Sequence, residues 1–126
     1  MKLSLILCIV YAGLIFGASS VPGDRLPGVS VSDFLTHAAV YAGFGAILFV
    51  WLSSRRGTRK AVALLQAVAL ASLYGLTDEW HQSFVPGRTP DPADWVADTV
   101  GAVVGSSVFV VLAALWACRR GKWSGR

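Results

Sequence analysis

Four long apolar segments dominate this chain and leave little room for any structure other than membrane-spanning helices. They fall at about residues 3–19, 34–52, 61–77 and 95–118, in a chain whose hydrophobic content is 55%. A helix needs about 20 apolar residues, and at least about 17, to cross a hydrocarbon core about 30 Å thick. The pattern predicts an all-α fold, an integral membrane four-helix bundle that forms a single domain over residues 1–126.

The first apolar segment has two interpretations. A signal peptide would use Lys2 as its basic start and the small residues Ala18, Ser19 and Ser20 as its cleavage region. The segment is longer than the apolar part of a usual signal peptide, and we therefore expect a retained helix.

The basic residues are distributed very unevenly between the two sides of the predicted bundle. One side receives nine of the 11 Lys and Arg residues: Lys2, Arg55, Arg56, Arg59, Lys60, Arg119, Arg120, Lys122 and Arg126. The other side receives Arg25 and Arg88 together with all seven acidic residues. Because cytoplasmic loops are rich in Lys and Arg, both termini are expected in the cytoplasm, with a Pro-rich outer loop between helices 3 and 4. Basic residues that lie between apolar runs form no single polar face, which argues against nucleic-acid binding.

Polar residues recur at helical spacing where three of the helices approach the outer face. Residues four apart share one face of a helix. Three such rows are present: Asp33, His37 and Tyr41 on the second helix, Tyr74, Asp78 and Gln82 on the third, and Asp94 and Asp98 on the fourth. Ionisable groups at membrane depth are costly unless they face a bundle interior or a partner, so the three rows are expected to converge.

Two interpretations of these rows remain open. In the functional one, the converging side chains form a binding or catalytic site. In the structural one, Asp33 and Asp94 are helix N-caps, and Arg88 pairs with Asp78 or Glu79 to hold the bundle together.

Gly101 and Gly105 lie four residues apart in the fourth apolar segment. Small residues at this spacing allow two transmembrane helices to approach closely. The contact is expected inside the bundle, and a homodimer through the same two glycines is the alternative.

Two sequence motifs resemble the signature of VanZ-like membrane proteins. The first is Asp78-Glu79-Trp80-His81-Gln82-Ser83-Phe84-Val85-Pro86-Gly87-Arg88, and the second is Asp94-Trp95-Val96-Ala97-Asp98-Thr99-Val100-Gly101, followed by Gly105. Asp33, His37 and Tyr41 are similar to that family's motif in an earlier helix, so that the resemblance covers the second to fourth helices. Two positions depart from the pattern: Phe34 stands where Lys is frequent, and Asp98 stands where Asn is frequent.

The resemblance implies a multi-pass protein of the bacterial plasma membrane, in a family named after resistance to the glycopeptide teicoplanin. We expect it to bind or act on an anionic cell-envelope or lipid-linked precursor at the outer membrane face. The candidate catalytic residues are Asp78, Glu79, His37 and Asp98, and the candidate substrate-binding residues are Arg88, Gln82, Tyr41 and Asp94. Neighbouring carboxylates that share a proton supply an acid and a base, and the Arg88 guanidinium suits phosphate or carboxylate.

No cofactor and no metal site is predicted. His37, Glu79, His81 and Asp98 are possible ligands, but the chain has no compact ligand motif such as H-E-x-x-H. A Gly-rich phosphate loop and a nucleophile elbow are also missing from the sequence. The alternative to an enzyme or binding site is a non-catalytic membrane accessory protein whose polar cluster is structural.

Overall fold

Regular structure is entirely helical in the computed structural model, which describes residues 2–25 and 32–123. The four long helices are α1 (Lys2–Ser19), α2 (Asp33–Ser53), α3 (Lys60–Gln82) and α4 (Pro92–Trp123), and a short 3-10 turn covers Gly23–Arg25. All four are long and apolar enough to cross a membrane, as judged from length and composition. The predicted all-helical chain with four apolar helices is thus confirmed.

Helix α3 is longer than its apolar segment. It continues to Gln82, five residues beyond the predicted end at residue 77. The added residues contain no glycine or proline, and Asp78, Glu79 and Gln82 are all buried. Burial of these polar side chains inside the bundle therefore maintains the helix where the hydropathy falls.

Helix α4 begins three residues before the predicted position and ends at Trp123 instead of residue 118. Its first residue is Pro92, whose fixed φ and missing N–H suit the first position of a helix. The Asp91 carboxylate accepts a hydrogen bond of 2.8 Å from the N–H of Ala93. Asp91 is therefore the N-cap of α4, and the cap interpretation of Asp94 is wrong. Asp33 is the first residue of α2 and follows the N-cap position at Ser32, so that it is not a cap either.

Helices α2 and α4 form the most extensive contact of the bundle. A Cβ atom at Gly101 would overlap the carbonyl oxygen of Ala38, and one at Gly105 would overlap that of Ala42. The two glycines thus bring the α2 and α4 backbones together within one chain. A homodimer stays a prediction, and these glycines are already covered by α2.

Helix α3 packs against α4 and α2 through small side chains. Ala63, Ala67, Ala71 and Gly75 are buried at intervals of four residues. Helix α1 contacts α2 and α3 but not α4 within the described residues. The polar atoms of α1 contribute to this packing, because the Tyr74 hydroxyl donates a 2.7 Å hydrogen bond to the carbonyl oxygen of Ala12.

Large apolar side chains cover the outside of the bundle. Leu3 on α1 and Leu65 on α3 are 69% and 70% exposed. Apolar surface on this scale is unusual for a soluble monomer and is expected where lipid surrounds the helices. The exposed surface therefore fits a multi-pass membrane protein.

The α1–α2 and α3–α4 connections contact each other at the end of the bundle that carries the polar rows. The Gly23 N–H donates a 3.0 Å hydrogen bond to the carbonyl oxygen of Pro86. Gly87, the next residue, has a φ of +71°, which a residue with a side chain rarely adopts. This contact fixes the start of the connection that leads to α4.

We predict that Gly101→Ala and Gly105→Ala destabilise the bundle although alanine is the better helix former. Each new methyl group overlaps a backbone carbonyl that cannot rotate away, and such overpacking costs about 1–3 kcal/mol. Gly13→Ala and Gly17→Ala are matched controls, since a Cβ there meets no atom within 4 Å. Thermal unfolding in detergent measures the difference. If the Gly101 and Gly105 variants melted at the same temperature as the Gly13 and Gly17 variants, the α2–α4 contact would be absent.

Candidate functional site

The closest polar contact between helices α2 and α4 joins His37 to Asp98. His37 Nδ1 lies 3.0 Å from Asp98 Oδ1, and His37 Nε2 lies 3.8 Å from Asp94 Oδ2. Asp94 and Asp98 are one turn apart on α4, so that one carboxylate faces each ring nitrogen. The Asp98 side chain has 0% exposure and that of His37 has 15%. A half-buried imidazole therefore lies between two carboxylates.

Helix α3 makes room for Asp98 at Gly75. A Cβ atom at Gly75 would lie 2.6 Å from Asp98 Oδ2 and 3.1 Å from the Asp98 Cβ. A side chain at this position would displace the carboxylate. The sequence therefore permits Asp98 to occupy the interior only because its neighbour on α3 has no side chain.

Glu79 brings a further ionisable group to the same place. It follows Gly75 by one turn of α3 and is buried. Its Oε2 atom accepts a 3.0 Å hydrogen bond from the backbone N–H of Asp91. One ligand atom each of His37, Glu79 and Asp98 lies within 4.8 Å of the other two. We call these three residues the HED cluster; they are the described residues that could hold a metal ion.

Several buried atoms of this region lack a hydrogen-bond partner. They are Glu79 Oε1, Asp98 Oδ2 and the Tyr41 hydroxyl, together with Ser106 Oγ further along α4. Tyr41 has 1% exposure and lies within electrostatic range of Asp98 and Glu79. Buried polar atoms are nearly always hydrogen-bonded, and each exception calls for an explanation such as a ligand or a catalytic role. The unpartnered atoms are concentrated at and beside the HED cluster.

Asp78 takes part in a different network although it is the neighbour of Glu79. Its Oδ2 atom accepts hydrogen bonds from Ser19 Oγ at 2.8 Å and from Gln82 Nε2 at 3.2 Å. Successive residues of a helix point about 100° apart, so Asp78 faces α1 whereas Glu79 faces the start of α4. Both donors to Asp78 are internal, as expected for a contact that holds α1 against α3.

Arg88 binds backbone oxygens of the α1 end. Its Nε donates to the carbonyl oxygen of Val21 at 3.3 Å, and its Nη2 donates to that of Ala18 at 3.4 Å. Within residues 2–25 and 32–123, the contacts of up to 4.0 Å between an acidic and a basic side chain are those of His37 with Asp94 and Asp98. The expected pair of Arg88 with Asp78 or Glu79 is therefore not formed.

An open groove of about 540 Å³ lies beside Glu79. Its lining is mostly apolar and consists of Leu76, Thr77, Glu79, Trp80, Ser83 and Pro90. A smaller groove of about 240 Å³ lies on the other side of Thr77 and Trp80, with Asp78 and His81 in its lining. The larger groove combines a mostly apolar lining with Glu79 at the polar end of the bundle.

The comparison with protein families agrees with the motifs that carry these side chains. A family model described as VanZ/LLP1 matches residues 4–113. The chain belongs to the VanZ/LLP1 family. The match includes α1 and so extends the resemblance seen in α2 to α4. Comparisons with curated proteins and with solved structures give no match.

In this VanZ/LLP1 protein, the candidate site residues divide into three groups. The first group lies together around the HED cluster and consists of His37, Glu79, Asp94, Asp98 and Tyr41. The second group, Asp78 and Gln82, forms the network with Ser19. The third is Arg88, which contacts the end of α1. The proposed catalytic and binding roles of all these residues stay predictions. His81 lies apart from the HED cluster, because its Nε2 is 3.0 Å from Ser20 Oγ and its ring packs against that of Phe16 at a tilt of 32°.

Sequence reasoning missed three residues that shape the site. Asp91 caps α4 and binds Glu79, and the Asp-Pro pair before an apolar run was an available signal. Gly75 and Ser19 carried no comparable signal, because small residues are common in membrane helices.

We predict that Ser19→Ala destabilises the protein, since it removes one of the two described donors to buried Asp78 Oδ2. Loss of such a partner costs about 1–3 kcal/mol. Ser53→Ala is the control, because Ser53 Oγ bonds to the Val50 carbonyl of its own helix. Thermal unfolding in detergent should separate the two variants. Indistinguishable stabilities would mean that Ser19 does not bind Asp78.

Proposed function

We propose that this VanZ/LLP1-family protein binds and acts on an anionic, lipid-linked cell-envelope precursor at the outer face of the bacterial plasma membrane. In this proposal Glu79, Asp98 and His37 supply acid and base groups, and Arg88 holds the anionic headgroup. The activity contributes to resistance against glycopeptides such as teicoplanin. The observation that carries the proposal is a buried cluster with unpartnered carboxylate oxygens beside an apolar groove.

The groove supports a substrate with a hydrocarbon chain. Its apolar lining matches an acyl or polyprenyl chain, and Glu79, a member of the HED cluster, is one of its lining residues. Binding sites commonly combine an apolar cavity with a few polar groups that fix orientation. A lipid-linked molecule would reach this groove from the membrane, with its headgroup at the level of the two connections.

Arg88 supports an anionic headgroup. Its two described hydrogen bonds are 3.3 Å and 3.4 Å long and go to neutral carbonyl oxygens. A guanidinium has five N–H donors, so it retains capacity for phosphate or carboxylate.

The charge distribution supports the proposed location at the outer face. Nine of the 11 Lys and Arg residues lie at the other end of the bundle or at the termini, which favours cytoplasmic termini.

The second candidate is a non-catalytic accessory protein. The observation that favours it is the internally bonded Asp78 network, which resembles a structural contact between α1 and α3. In that case the polar side chains stabilise the bundle, and the connections bind another envelope protein.

We predict that Glu79→Gln, Asp98→Asn and Arg88→Lys abolish function without unfolding the protein. The first two remove an acid or base whose contribution to a reaction is typically about 10²- to 10⁴-fold. Arg88→Lys removes the planar donor array but leaves the charge. Asp24→Asn and Arg25→Lys are matched controls, because both residues are exposed in the other connection on the same side.

Three readouts are compared for each variant: the teicoplanin concentration that inhibits a susceptible bacterium expressing it, the binding of a polyprenyl phosphate, and thermal stability in detergent. The proposal expects the wild type and the controls to bind the lipid and to raise the inhibitory concentration. The site variants should do neither, although their thermal stability stays that of the wild type. Parallel loss of function and stability would favour the accessory role. A wild type that binds no polyprenyl phosphate would contradict the substrate class.

A further inference from the structure

The HED cluster has the composition of a metal site, and its ligands come from three helices that are distant in sequence. His37 belongs to α2, Glu79 to α3 and Asp98 to α4. Their ligand atoms lie within 4.8 Å of one another. No local motif encodes such a site, which explains why the sequence predicts none.

The separations are close to those found around a bound ion. Two ligands at about 2.1 Å from a metal and at right angles are about 3.0 Å apart, and opposite ligands are about 4.2 Å apart. His37 Nδ1 and Asp98 Oδ1 are 3.0 Å apart. Glu79 is the remaining ligand, and its separation of up to 4.8 Å from the other two ligand atoms needs only a small contraction around an ion.

Two buried oxygens point independently to a missing partner. Asp98 Oδ2 and Glu79 Oε1 have no hydrogen-bond partner, and their side chains are 0% and 7% exposed. Both oxygens can therefore bind a cation without losing a hydrogen bond of their own, and coordination of His37 Nδ1 would replace its 3.0 Å hydrogen bond with Asp98 Oδ1. Tyr41 adds a third unpartnered oxygen nearby.

The electrostatic balance also favours a cation. Asp78, Glu79, Asp94 and Asp98 all lie at this end of the bundle, and the described Arg88 hydrogen bonds go to backbone carbonyls. His37 is the partner of the described ion pairs here. Buried carboxylates are stable when they are paired, protonated or bound to a metal. A divalent ion would balance the charge of Glu79 and Asp98 together.

We propose that His37, Glu79 and Asp98 bind one divalent transition-metal ion, Zn²⁺ or Mn²⁺. Imidazole nitrogen suits zinc and other transition metals, carboxylate oxygen also suits manganese, and both are less favourable for Cu(I). Three protein ligands leave a coordination position open for water or a substrate oxygen, as in catalytic zinc sites.

Asp94 completes the arrangement as a positioning residue. With His37 Nδ1 on the metal, Nε2 carries the ring proton and faces Asp94 Oδ2 at 3.8 Å. At 3.8 Å this contact is longer than a hydrogen bond, and we expect it to shorten when the metal binds, because ligating histidines commonly donate their other N–H to a carboxylate that holds the ring. The Asp91 N–H holds Glu79 Oε2 in the same manner.

The inference does not depend on the proposed function, and its test uses the metal alone. Chelator-treated protein in detergent is titrated with Zn²⁺ and with Mn²⁺ by calorimetry, and bound metal is counted after gel filtration. The wild type should bind one equivalent of at least one of these ions and melt at a higher temperature with it. His37→Gln, Glu79→Gln and Asp98→Asn should weaken binding more than about 100-fold, and Asp94→Asn about 10-fold.

His81→Gln is the matched control, since His81 is the other histidine of the chain and bonds Ser20 outside the cluster. It should bind the metal like the wild type. If a ligand variant does not fold, X-ray absorption of the zinc-loaded wild type decides instead: one imidazole with oxygen neighbours supports the site, and sulfur neighbours overturn it.

Two other results would overturn the proposed metal site. One is a wild type that binds neither ion stoichiometrically, and the other is metal binding that His37→Gln and His81→Gln weaken equally. In that case the cluster is protonated instead. A protein that binds no metal can still bind the lipid and confer resistance in the earlier experiment, so the two proposals are tested separately.

Discussion

The contact between His37 and Asp98 is the interaction on which the rest of this bundle depends. A carboxylate with 0% exposure, at the seventh position of an apolar helix, is stable only beside a partner inside the bundle. That partner reaches it because Gly101 and Gly105 bring α4 against α2 and because Gly75 leaves space on α3. A close approach of the α2 and α4 backbones and the most buried acid thus lie in one region of the structure. The small residues and the polar residues of the family motif therefore serve a common arrangement.

The two polar networks at this end of the bundle differ in how completely they are hydrogen-bonded. Asp78 Oδ2 receives donors from Ser19 and Gln82 and ties α1 to α3. The HED cluster retains unpartnered oxygens on Glu79 and Asp98 in equally buried surroundings. Hydrogen-bonded polar networks are typical of structural cores, whereas buried polar atoms without a partner are concentrated at functional sites. Asp78 and Glu79, which are adjacent on α3, thus belong to two networks that differ in their hydrogen bonding.

Much of the fold could be predicted from hydropathy, because membrane helices must be both long and apolar. Helical spacing also predicted that His37 on α2 would meet Asp94 and Asp98 on α4, since ionisable groups at membrane depth face inward. The residue predicted by spacing to join them from α3 was Asp78, whereas the structure brings its neighbour Glu79 there. The ends of α3 and α4 were harder to predict: buried polar residues extend α3, and Asp91 with Pro92 begins α4 before the hydropathy rises. The partner of each acid depends on helix rotation, so that Asp78 facing α1 and Arg88 binding carbonyl oxygens could not be read from spacing.

Solid-state NMR of the protein in lipid bilayers tests the central contact most directly. Labelling with ¹⁵N-histidine and ¹³Cγ-aspartate allows the dipolar coupling between His37 Nδ1 and a carboxyl carbon to be measured, with His81→Gln assigning the histidine signals. Because Nδ1 lies 3.0 Å from Asp98 Oδ1, we expect a strong coupling that disappears in Asp98→Asn. A wild-type His37 Nδ1 signal without coupling to any aspartate would contradict the account.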